Sequence, residues 1–160
     1  EIASIYFDAA RQGETDLLEA LINAGAPVDA RNEKGYTALI LAAYNGHADT
    51  VRALVKRGAD PCAADAKGNT AQMGVAFKGH DEAARLLLSY GCDVDQENAS
   101  GQTAVMMAAL FGRTDQVRML RAAGADISKR DLLGNTALLL AAVQGNREMT
   151  ALLRDGDDRP

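Results

Sequence analysis

The sequence predicts an all-α solenoid of five helix-turn-helix units with short β-turn hairpin tips, because glycine and threonine recur along it with one fixed period. One threonine series advances by 33 residues at each step and has no insertion: Thr37, Thr70, Thr103 and Thr136. Three glycine series keep the same period: Gly35, Gly68, Gly101 and Gly134; Gly13, Gly46, Gly79, Gly112 and Gly145; Gly25, Gly58, Gly91 and Gly124. A constant period of this length indicates stacked structural repeats.

Each repeat contains the signals for a tight turn followed by two short helices. In one copy Asn32 opens the turn and Gly35 supplies the positive φ that a tight turn needs. Thr37 follows where a helix N-cap is expected, and the apolar run behind it predicts the first helix. Gly46 ends that helix, and a second apolar segment at helical spacing runs up to Gly58. Helices this short are not stable alone, so the units are expected to stack.

The repeat spacing divides the chain into five units that form a single predicted domain over 1–160. The units are approximately 1–31, 32–64, 65–97, 98–130 and 131–156, and 157–160 is a tail. Unit three departs most from the pattern, because Gln72 replaces a core leucine and Gly74 lies inside the first helix, at a cost of up to about 1 kcal/mol relative to alanine. Gly74 indicates either locally relaxed packing or the close approach of a partner's backbone.

The pattern resembles the ankyrin repeat, which has a turn and two antiparallel helices in each 33 residues. The resemblance covers nearly the whole chain and rests on glycine, threonine, Ala-Ala and Gly-Ala-Asp in register. One departure is that the family's Thr-Pro-Leu-His reads Thr-Ala-Leu-Ile over 37–40, so the family's Thr–His hydrogen bond cannot form and Thr37 is expected to act as a simple cap. The resemblance implies a non-catalytic module that binds a protein partner in a concave groove, as a scaffold, inhibitor or stabiliser of a partner enzyme.

Charge and composition exclude several classes of partner. The net charge is −5 and the calculated isoelectric point is near 5.0, which argues against nucleic acid or an anionic membrane as the main partner. The sequence contains no window approaching the roughly 20 apolar residues that a membrane-spanning helix needs. We therefore expect the partner to be another protein. We also expect the protein to be a monomer and to hold no cofactor.

The two cysteines are expected to be free thiols. Cys62 and Cys92 occupy different places in consecutive repeats, and a disulfide needs Cα atoms within about 7 Å. Two thiols suit a reducing compartment, which predicts a cytoplasmic protein. A periplasmic or secreted location stays open, because the chain begins with Glu1 instead of methionine.

The sequence lacks the motifs that carry catalysis. His47 and His80 occupy the same repeat position, at the start of a second helix, and no nucleophile or set of further metal ligands accompanies them. Neither a phosphate-binding glycine loop nor a Gly-x-Ser-x-Gly elbow occurs. The protein is therefore predicted not to be an enzyme and to hold no metal. The alternative function is binding of a small ligand, metal or haem through histidine, cysteine or methionine. The methionines are expected in the core more than on a docking surface: Met73, Met106, Met107, Met119 and Met149.

Apolar residues recur where an ankyrin-like stack faces its concave groove, at the end of the first helix and at the turn tip. The fold does not require apolar side chains there, and exposed apolar patches with aromatic anchors mark interaction sites. The predicted partner-binding residues are Tyr36, Tyr44, Phe77, Leu110, Phe111, Leu132, Leu133 and Val143, with a polar rim that includes Lys34, Lys67, Asn69 and Lys78. The competing interpretation is that these side chains fill gaps between neighbouring first helices.

Overall fold

The computed structural model describes residues 1–155, over which the chain forms ten α-helices. They are α1 (Ile2–Gln12), α2 (Thr15–Asn23), α3 (Ala38–Tyr44), α4 (Ala48–Lys56), α5 (Ala71–Lys78), α6 (Asp81–Leu88), α7 (Ala104–Leu110), α8 (Thr114–Ala122), α9 (Ala137–Val143) and α10 (Arg147–Asp155). The predicted all-α repeat fold is confirmed. The predicted tail, 157–160, lies outside the described residues.

The helices form two layers, one of first helices and one of second helices. In the first layer α1 packs on α3, α3 on α5, α5 on α7 and α7 on α9. In the second layer α2 packs on α4, α4 on α6 and α6 on α8. The turn tips are joined from one unit to the next by backbone hydrogen bonds, such as the 2.9 Å bond that Ala99 N–H donates to the carbonyl of Lys67. The stack therefore presents a row of turn tips beside the layer of first helices.

The threonine series caps the first helices, as the sequence predicts. The Oγ1 atom of Thr37 accepts a hydrogen bond of 3.1 Å from the backbone N–H of Ile40, and the other three threonines repeat this contact. The cap satisfies one of the N–H groups that a helix start leaves without a partner. At the other end of α3, Gly46 adopts φ 80°, a conformation that a side chain disfavours, and turns the chain towards α4.

The core between the layers combines alanines with larger aliphatic and methionine side chains. Ala42 and Ala43 are completely buried, which lets neighbouring first helices approach closely. Met73, Met106 and Met149 are buried as well, with at most 2% of their surface exposed. The interpretation of these three methionines as core residues is therefore confirmed, while Met107 and Met119 are half-buried.

The expectation of free thiols is wrong, because Cys62 and Cys92 form a disulfide whose Cα atoms lie 5.5 Å apart. We expected residues at unmatched repeat positions to be far apart. In this stack, however, a loop residue contacts the residue 30 or 31 positions later in the next loop, and not the one 33 positions later that has the same place in the repeat. Asp29, for example, contacts the backbone of Asp60, which is 31 positions later. A separation of 30 residues therefore brings the two sulfur atoms together.

Candidate functional site

An open groove of about 1190 Å³ runs along the first helices from α1 to α7. The lining comes from the ends of these helices and from the turn tips beside them. Five of the predicted partner-binding residues line it: Lys34, Tyr36, Tyr44, Asn69 and Phe77. The core residues Ile40 and Met73 contribute to its floor. The groove is therefore a mixed surface, large enough for a peptide segment or a loop of another protein.

Three aromatic rings form a continuous ladder across units two, three and four. Tyr44 and Phe77 are stacked, with ring centroids 6.1 Å apart and an angle of 11° between the planes. Phe77 and Phe111 meet edge to face at 4.8 Å and 87°. Aromatic pairs of this kind contribute about 0.5–1.5 kcal/mol each beyond the area they bury. The rings still leave 37%, 42% and 38% of their surfaces exposed, in chain order. They therefore fill the gaps between units only in part.

Gly74 makes room for the first ring of this ladder. A Cβ atom at position 74 would lie 3.3 Å from Cδ1 of Tyr44, which is tighter than ordinary van der Waals contact. Gly74 is half-buried and lines the groove. The packing of the Tyr44 ring therefore explains why a glycine occupies this position inside α5. The Nζ atom of Lys78 lies 5.0 Å from the centroid of the same ring, a cation–π contact.

The remaining predicted residues do not line the groove. Leu132 and Leu133, at the last turn tip, expose 76% and 88% of their surfaces, and Val143 at the end of α9 exposes 78%. Leu110 is half-buried, and Lys67 is exposed at the tip of unit three. The predicted surface thus divides into a groove with its aromatic ladder and a separate exposed apolar group in unit five.

The backbone beneath the ladder is held by side chains that stand directly before the second helices. His80 Nε2–H donates to the carbonyl of Tyr44 at 3.1 Å. Arg113 Nη2 donates to the carbonyl of Phe77 at 2.7 Å, and its Nε donates to the carbonyl of Ala76 at 3.1 Å. His47 makes the same contact with Arg11 in the first pair of units, at 2.9 Å. The 33-residue register that these residues share is the signal that could have predicted their common role.

Tyr6 anchors the wall of the groove at α1. It is 2% exposed, its hydroxyl donates to the carbonyl of Val28 at 2.8 Å, and its ring meets the edge of Phe7, which lines the groove. Burial, together with the nearby carboxylate of Asp29, raises the pKa of Tyr6 to about 12. The Tyr6 side chain in this wall of the groove is therefore the neutral phenol.

The side chains that could bind a metal or haem have other roles in the described residues. The rings of His47 and His80 are bound to backbone carbonyls, and Cys62 and Cys92 are bonded to each other. Within residues 1–155, no three histidine, cysteine or acidic side chains are grouped so that they could hold a metal ion.

A family model described as ankyrin repeats, in three copies, matches residues 6–98, 59–131 and 76–158. The chain belongs to the ankyrin-repeat family. Ankyrin repeats are in general protein–protein interaction modules and are typically non-catalytic, so a protein partner is indicated. No curated protein matches this ankyrin-repeat chain. No helix in the described part has the length and hydrophobicity needed to cross a membrane.

Proposed function

We propose that this ankyrin-repeat protein is a non-catalytic module of a single five-unit domain that docks a protein partner in its concave groove. The observation that carries the proposal is the aromatic ladder of Tyr44, Phe77 and Phe111, in which three rings in successive units stay more than one-third exposed. Exposed aromatic side chains cost solubility, and the fold does not require them at these positions. Aromatic rings are favoured anchors at interfaces because they supply a large contact area with few rotatable bonds.

Lysines border the ladder and fit the polar rim of an interface. Lys34 lines the groove, Lys67 is exposed at the next turn tip, and Lys78 lies over the Tyr44 ring. Rim charges affect association rate and specificity more than they affect affinity. We therefore assign the affinity to the rings and the choice of partner to the rim.

The proposal is tested with the double variant Phe77→Ser/Phe111→Ser. The partner is first captured from an extract of the source cells by the wild-type protein, and its affinity is then measured by calorimetry with purified components. Truncation of two anchors is expected to raise the Kd by about 1,000-fold, since each hot-spot residue contributes roughly 2 kcal/mol. Leu17→Ser is the matched control, because Leu17 is also 38% exposed but lies on α2, outside the groove. Unchanged affinity in the folded double variant would rule out the groove.

One finer expectation concerns the oligomeric state. We expect a monomer, which sedimentation at several concentrations tests by a constant molecular mass. The cytoplasmic location predicted from the sequence relied on free thiols, and the disulfide removes that support.

A further inference from the structure

An aspartate in each of two loops after a second helix accepts a hydrogen bond from the backbone of the corresponding loop in the next unit. Asp29 accepts hydrogen bonds from the backbone N–H of Asp60 at 3.3 and 3.1 Å, through its two carboxylate oxygens. Asp95 accepts a bond of 2.9 Å from the N–H of Asp126 through Oδ1. In both cases the donor lies 31 positions after the carboxylate. We call this contact the loop rung.

Cys62 occupies the register of the loop rung between units two and three. It lies 33 positions after Asp29 and 33 before Asp95. A carboxylate at this position would accept from the N–H of Asp93. Instead, the sulfur of Cys62 is bonded to that of Cys92, the residue directly before Asp93. At this junction a covalent bond therefore stands where the junctions on either side have a hydrogen bond.

The same junction also has the longest of three equivalent turn-tip hydrogen bonds. Its turn-tip hydrogen bond, from Ala66 N–H to the carbonyl of Lys34, measures 3.3 Å, whereas the two equivalent bonds farther along the stack measure 2.9 and 3.0 Å. A cavity of about 20 Å³ lies beside the disulfide and is lined mostly by side chains of unit three, among them Gln72 and Cys92, with Cys62 from unit two. Gln72 is the residue that replaces a core leucine.

We propose that Cys62 and Cys92 form a reversible thiol–disulfide site whose state sets the strength of the junction between units two and three. A thiolate of a dithiol reductant attacks one sulfur, and a mixed disulfide forms as the S–S bond breaks. The reductant's second thiol then releases the protein, which gains two electrons and two protons as two thiols, while the reductant becomes a disulfide. Both cysteines are half-buried, so a small dithiol reaches them. In an oxidising compartment the bond persists and the junction stays closed.

The test compares melting temperatures with and without dithiothreitol in the wild type and two double variants. Cys62→Asp/Cys92→Ala rebuilds the loop rung, with alanine at 92 matching Ala59 and Ala125 in the same register. Cys62→Ala/Cys92→Ala provides neither bond. Reduction is expected to lower the melting temperature of the wild type by about 10 °C, since the bond closes a loop of 30 residues. Both variants should be insensitive to the reductant, and the aspartate variant should melt a few degrees above the alanine variant.

Two further measurements decide the chemistry and its location. Protein from acid-quenched source cells should take no maleimide before reduction and two maleimides after it. Hydrogen exchange of the Ala66 amide should accelerate on reduction, while exchange of the Ala99 amide in the next junction stays unchanged. Labelling without reductant, an unaltered melting temperature, an aspartate variant no more stable than the alanine variant, or a uniform rise in exchange would each overturn the proposal.

Discussion

Replacing Arg113 by alanine is expected to destabilise the stack at the junction under Phe77. Arg113 lies directly before α8, and its guanidinium donates to the carbonyls of Ala76 and Phe77 at 3.1 and 2.7 Å. A hydrogen bond to a charged group contributes about 1.5–3 kcal/mol when it is buried. Arg113 is only half-buried, so we expect the pair together to contribute about 2 kcal/mol. For a chain of this length, that loss lowers the melting temperature by about 4–8 °C.

The assay is thermal unfolding followed by circular dichroism, with two comparison variants. Arg118→Ala, on the same helix, removes only an exposed ion pair with Asp115 and should change the free energy of unfolding by less than about 0.5 kcal/mol. Arg113→His copies the single contact that His47 and His80 make in the same register. The Arg113→His variant should recover about half of the unfolding free energy that Arg113→Ala loses. Equal effects of Arg113→Ala and Arg118→Ala would refute the assigned role of the two carbonyl contacts.

Two other predictions concern stability. Thr37→Val removes the cap at the start of α3 but keeps the volume, and should cost about 1 kcal/mol in a denaturant titration that compares it with wild type. For Tyr6, the pKa is about 12 in the folded state and about 10 in the unfolded state, so the unfolded state loses its proton first as the pH rises. Stability should therefore fall between pH 10 and 12, by up to about 3 kcal/mol, and Tyr6→Phe should lack this component while showing the same decline from the other groups.

The repeat register of the sequence predicts the helices well, because each boundary has a local physical cause. Thr37 caps the start of α3 and Gly46 adopts a positive φ just after its end. These causes act within a few residues and recur unchanged in later copies. The exposure of the aromatic residues could also be expected from their repeat positions, whereas the stacking of Tyr44 on Phe77 and the fit of Gly74 beneath Tyr44 depend on the distance between units.

The disulfide was missed for a different reason. We compared Cys62 and Cys92 by their places within a repeat, but the contacts that join the loops after the second helices connect residues 30 or 31 positions apart. Asp29 and Asp95 carried the relevant signal, because a polar residue in that register contacts the next loop. A single sequence does not give the offset between neighbouring loops, which is set by how the helices pack.

The hydrogen bonds between units also affect how the groove would bind a protein partner. His80 fixes the carbonyl of Tyr44, Arg113 fixes that of Phe77, and both contacts come from the following unit. The two rings thus stand on backbone that neighbouring units hold in place, so little conformational entropy remains to be lost when a partner docks. Rigid anchors of this kind bind tightly only while the junctions beneath them stay closed. Contacts distant from the groove surface, including the disulfide that joins units two and three, are therefore part of what the proposed docking role of the ladder requires.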